Sequence, residues 1–118
     1  MGNDWQSLRD EIVAFRDARD WQQFHTPKNL AAAIAIEASE LQEQFLWCTD
    51  AESEVRIRNK ANRQAIAEEL ADVVNFALLL ADRLDINLPK EVRRKIRINA
   101  RKYPVKKSRG TAKKYTEL

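Results

Sequence analysis

Glu37 and Glu40 stand three residues apart in AIAIEASELQEQF, and Glu69 and Asp72 repeat that spacing in AIAEELADVVNFALLL. Residues three apart on a helix share a face, so each segment presents two carboxylates side by side. Glu37 falls on the apolar stripe Leu30, Ile34, Leu41, Phe45, and Glu69 falls between Ile66 and Val73. A carboxylate buried without a partner is costly, so these positions demand a cation or a proton. Two such helices packed face to face bring four carboxylates together, and an oxygen-only cluster suits Mg²⁺ or Mn²⁺. A solvated salt-bridging face is the alternative, but it would not be flanked by apolar residues on both sides. Glu43 and Glu68 are spare acids nearby, placed either to assist a metal or to face solvent. The pattern points to metal-assisted chemistry, and hence to an enzyme.

Three other groups of residues could act on a ligand. The segment Trp21-Gln22-Gln23-Phe24-His25 gathers two aromatics and the only histidine just before a helix start. Aromatic faces stack on nucleobases and helix N-termini favour anions, yet the same residues suit plain core packing. Trp47, beside Phe45, carries the same two readings. Further on, Lys95, Asn99 and Lys102 recur at helical spacing and are followed by Tyr103. That face would suit a triphosphate, although basic faces are commonly only solvated. Cys48 has no base partner in sight, so nucleophilic chemistry there is not expected.

The elements that must position these groups are helical. With two Gly and three Pro in 118 residues, the chain is expected to be all-α and a single domain, residues 1–118. Helices are predicted from about Asp4 to Ala18, from Pro27 to about Trp47, from Ser53 to Leu84 with an interruption near Arg58-Asn59, and from Pro89 to near Arg101. A short connector joins the first two, and the tail from Val105 to Leu118 is read as irregular. No apolar run reaches the ~20 residues of a membrane span. The N-terminal stretch lacks the pattern of a signal peptide, and one cysteine is compatible with a reducing compartment, so the expected location is cytoplasmic. A lone His excludes a His-rich zinc or di-iron site. Residues 90–118 hold 12 basic and 2 acidic residues, a net +10, whereas residues 1–89 carry −7. A basic tail on an acidic body suits either nucleic-acid phosphates or the phosphates of a small ligand.

The segments WQQFHTPKNLAAAIAIEASELQEQFLW, EELADVV, KIRINARKYPV and KYTEL resemble the all-α nucleoside triphosphate pyrophosphohydrolases of the MazG type, in particular the dCTP pyrophosphatase-like branch. The likeness extends from Trp21 to Leu118. It implies a four-helix bundle-like fold in which Glu37, Glu40, Glu69 and Asp72 bind Mg²⁺. It further implies that Trp21, His25 and Trp47 help form the base and sugar pocket, and that Lys95, Asn99 and Tyr103 bind the phosphates or close the site; Lys102, beside them, would help screen the triphosphate. Phe76 stands where relatives commonly have tyrosine, Ser39 where glycine is frequent, and Leu46 where many read glutamine. Ile12 replaces a histidine found in some dCTP-preferring relatives, which widens the expected choice of deoxynucleotide beyond dCTP to others such as dATP. The likeness also implies a homo-oligomer, a dimer or a dimer of dimers.

The expected reaction is therefore Mg²⁺-dependent hydrolysis of a nucleoside triphosphate to monophosphate and pyrophosphate, serving removal of unwanted nucleotides. The other class weighed is a helical nucleic-acid-binding module using the basic tail. Carboxylates near buried positions argue against it, because DNA phosphates gain nothing from them.

Overall fold

A computed structural model describes residues 4–118 of the chain, which divides into two compact units, Met1–Asp85 and Ile86–Leu118. Among the described residues all regular structure is helical. In the first unit, α1 spans Asp4–Ala18, α2 Pro27–Glu43, α3 Asp50–Arg56 and α4 Lys60–Leu84, with a 3-10 turn at Gln22–Phe24. In the second, α5 spans Leu88–Lys102 and α6 Val105–Ser108, and a 3-10 turn covers Tyr115–Glu117.

Side-chain caps fix where four helices start. Thr26 Oγ1 accepts from the Asn29 backbone N–H at 3.2 Å, and Pro27 takes the first helical position, where a missing N–H costs nothing. Thr49 caps α3 through the Glu52 N–H at 3.1 Å, Asn59 caps α4 through Asn62 at 3.0 Å, and Asn87 caps α5 through Lys90 at 3.1 Å. The expected start at Ser53 is thereby corrected to Asp50. The interruption foreseen near Arg58-Asn59 is a true helix boundary.

Helix α2 ends at Glu43, short of the expected Trp47. Gln44 to Trp47 form turns instead, and Trp47 adopts the left-handed region with φ 67°. The tail is also more ordered than expected. The Tyr115 ring packs edge-on against Tyr103 at 5.9 Å, and Lys102 Nζ lies 4.9 Å from the Tyr115 ring centre. Gly110, at φ 76°, supplies the left-handed turn that a side chain would resist.

Within the first unit, α4 is the central element and packs against both α2 and α1. Leu30 of α2 and Leu78, Leu79 and Ala81 of α4 form the fully buried core. Arg16 is the one buried charged residue described, and it donates from Nη1 to Asp82 at 3.0 Å and from Nε to Asp17 at 2.9 Å. The Asp82 pair ties the end of α1 to α4, and both pairs hold the guanidinium firmly protonated, the hydrogen bond to Asp17 contributing most.

Candidate active site

Face-to-face packing of α2 and α4 brings Glu37, Glu40 and Glu69 together. One carboxylate oxygen from each lies within 4.8 Å of the others. Glu37 Oε2 and Glu69 Oε2 are buried and have no hydrogen-bond partner. Burial first, then sharing of a hydrogen bond with Glu40, then the charges of Glu40 and Asp72, raise the pKa of both Glu37 and Glu69. Three acids crowded in this way repel one another unless a cation lies among them. The orphaned oxygens and the hard, all-oxygen donor set fit a divalent ion of the Mg²⁺ type.

Asp72 stands apart from this trio. It is exposed, one turn beyond Glu69, and lines a cavity together with Glu37. Glu43 and Glu68 are exposed, and Glu68 acts on the site only by raising Glu69 further.

The cavity has a volume of about 620 Å³ and opens between α1, α4 and the connector. Trp21, His25 and Phe76, all named from the sequence, line it. Trp21 packs edge-on against Phe15 at 5.8 Å, and His25 packs edge-on against Phe76 at 6.4 Å. His25 Nδ1 is buried without a partner, and burial, aided by the charge of Arg16, lowers the pKa of its ring. The combination is an aromatic and aliphatic chamber, with a few polar groups, that ends at a carboxylate cluster. Its size suits one small organic ligand.

Not every expected residue is gathered there. Trp47 is 90% exposed and sits with Phe45, Leu46 and Ile57 in a separate shallow cleft. Lys95, Asn99, Lys102 and Tyr103 lie on and just beyond α5 in the second unit. There Asn99 O accepts from the Tyr103 N–H at 2.8 Å, and Lys102 is drawn over Tyr115. Conversely, Glu11, Phe15, Arg16 and Asn75 line the cavity without having been singled out from the sequence. The signal for Asn75 was present, since it continues the three-residue spacing of Glu69 and Asp72 by one more step. Glu11 and Arg16 gave none, because charged residues on an amphipathic helix look alike whether or not they face a ligand.

A family model described as MazG-like matches residues 32–118. The chain belongs to the MazG-like family. This MazG-like protein is 44% identical over 113 residues to dCTP pyrophosphatase 1 of Rattus norvegicus, covering 96% of this chain and 66% of the rat protein. It is 43% identical to dCTP pyrophosphatase 1 of Homo sapiens over the same shares of each chain. It thus spans about two thirds of the length of the mammalian relatives it matches. The crystal structure of a pyrophosphatase from Archaeoglobus fulgidus DSM 4304 is similar to the MazG-like fold described above, with a TM-score of 0.75 and 46% identity over 84% of this chain and 91% of that one.

Proposed function

We propose that this protein hydrolyses deoxynucleoside triphosphates, dCTP foremost, to the monophosphate and pyrophosphate. The observation that carries this reading is the trio Glu37, Glu40 and Glu69, with two orphaned oxygens, opening onto an aromatic-lined cavity. The names of the mammalian relatives and of the archaeal pyrophosphatase support the same substrate class and reaction.

Glu37, Glu40 and Glu69, with Asp72, would hold Mg²⁺ or Mn²⁺. When bound, such an ion would supply positive charge that offsets the charge building up as the phosphoanhydride breaks. The chain's own groups do the rest. Trp21, Phe15 and Phe76 offer flat faces for the base, while His25 presents a neutral ring with a free Nδ1. One of the Glu carboxylates of the cluster accepts the proton of the attacking water. Attack falls between the α and β phosphates. Lys95, Asn99 and Tyr103 bind the phosphates or close the site, Lys102 screens the triphosphate, and Trp47 joins the base and sugar pocket in the assembled protein. Ile12, among the residues lining the cavity, offers the base no hydrogen bond, so deoxynucleotides such as dATP are also admitted.

The working form is a dimer or a dimer of dimers. Trp47, Leu46 and Val55 are 90%, 55% and 61% exposed, large apolar side chains that self-association would cover. The proposed location is the cytoplasm; no helix among the described residues is long and apolar enough to cross a membrane.

A panel of dNTPs and NTPs with Mg²⁺ tests the reaction. Monophosphate and pyrophosphate, abolished by EDTA, are the expected products. Release of orthophosphate alone, or salt-sensitive nucleic-acid binding with no turnover, would overturn the reading.

A further inference from the structure

Asn75 breaks the pattern of the helix that carries it. From Val73 to Ala81, α4 reads VVNFALLLA, apolar at every other position. Asparagine is a poor helix former and forfeits packing in such a run, a local violation of the kind that marks functional positions. Its side chain is partly buried and lines the cavity, where the carboxamide has no protein partner among the described residues.

Its place along α4 identifies what it would meet. At about 1.5 Å of rise per residue, Asn75 stands about 4.5 Å along the axis from Asp72 and about 9 Å from Glu69. Leu79 follows one turn further, and Asp72, Asn75, Phe76 and Leu79 all face the same cavity. A nucleotide whose phosphates lie at the acids sets its pentose next along this line and its base beyond.

We infer that Asn75 is a specificity-determining residue that hydrogen-bonds the 3′-hydroxyl of the substrate's pentose. The inference rests on the reading of the cavity as a nucleotide site. A carboxamide donates and accepts, as a hydroxyl does, and its neutrality adds no repulsion beside the carboxylates and phosphates. Phe76 and Leu79 on the same helix face have no hydrogen-bonding group to offer. Asn75 therefore senses the sugar, while the aromatic wall holds the base.

The test compares dCTP with 2′,3′-dideoxyCTP on wild type and Asn75→Leu, with Asn75→Ala as a second variant. Hydrolysis is followed alongside calorimetric binding of the α,β-imido analogues of both nucleotides in Mg²⁺. Leucine suits the apolar run, and circular dichroism confirms that each variant is helical. Loss of the 3′-hydroxyl should weaken binding to wild type about tenfold, the scale of one hydrogen bond. In either variant the same loss should cost less than about twofold, and dCTP alone should bind more weakly than to wild type. Equal weakening of both nucleotides in the variants, or a hydroxyl effect that survives there, would overturn the assignment. A wild type that neither binds nor hydrolyses dCTP would instead bring down the nucleotide reading itself, and the Asn75 assignment with it.

Discussion

Glu37 is held at a cost to the stability of the metal-free fold. Burial and its acidic neighbours raise its pKa above 4.5, so the folded protein holds that proton more tightly than the unfolded chain. The stabilisation is present at low pH and is lost as pH rises from 4.5 through the folded value. In metal-free protein at neutral pH, Glu37→Gln should therefore be more stable than wild type, as read from urea midpoints. Mg²⁺ should stabilise wild type and leave the variant nearly unmoved. Turnover should fall by more than the roughly 10–100-fold typical of an outer-shell partner. His25 works in the opposite direction. Its pKa is held below 6.5, so under acid the unfolded chain gains a proton that the folded ring refuses. Stability should drop on acidification below 6.5, and urea titrations at pH 7.5 and 5.5 should show a smaller drop for His25→Gln. At this scale the clustering of Glu37, Glu40 and Glu69 was legible in the sequence because carboxylates interrupt apolar stripes. Asn75 interrupts one too, but a single amide carries less contrast than a repeated acidic pair.

Helix α4 is the element that joins stability to function. One face packs against α2 and presents Glu69, while the face toward α1 lines the cavity. The Arg16–Asp82 pair, 3.0 Å long, holds α1 to that second face, so it also sets the distance between the cavity walls. Arg16→Met should cost about 1.5–3 kcal/mol in urea unfolding, because the hydrogen bonds are charge-assisted and Arg16 is only 8% exposed. KM for the nucleotide should rise in the same variant as the aromatic wall loosens. The existence of the long helices followed from their apolar periodicity, and the start of α2 from the Thr26-Pro27 pair, whereas the α3 cap is Thr49 rather than the expected Ser53. The end of α2 did not follow. Phe45, Leu46 and Trp47 continue an apolar run, and only the turn that carries Trp47 into positive φ shows that the helix has already stopped. Likewise, the tail's order comes from Tyr115 meeting Tyr103, a contact between residues twelve apart that local pattern cannot reveal.

For the whole molecule, charge and apolar exposure are unevenly shared. The 86–118 unit carries the net +10, and the acids dominate the unit that holds the carboxylate cluster. Among the described residues only Leu30, Leu78, Leu79 and Ala81 are buried apolar ones, a small core for a chain of 118. Association would add what the isolated fold lacks. Wild type should sediment as a dimer or larger, and Trp47→Gly should shift the distribution toward monomer. Glycine accepts the left-handed backbone at that position, so any loss of assembly would report the missing indole rather than strain. A monomeric wild type would contradict the assembly. Oligomeric state was inferred from wide apolar stripes and family likeness, since a sequence shows which side chains are apolar but not which partner covers them.

The most direct measurement is phosphorus NMR of dCTP incubated with Mg²⁺ and either wild type or Glu37→Gln. With wild type, dCMP and pyrophosphate should grow in together as dCTP decays, and with the variant the spectrum should stay that of the substrate. Orthophosphate from wild type, or equal turnover by the variant, would contradict the assignment of the carboxylate cluster as the catalytic centre of a pyrophosphohydrolase.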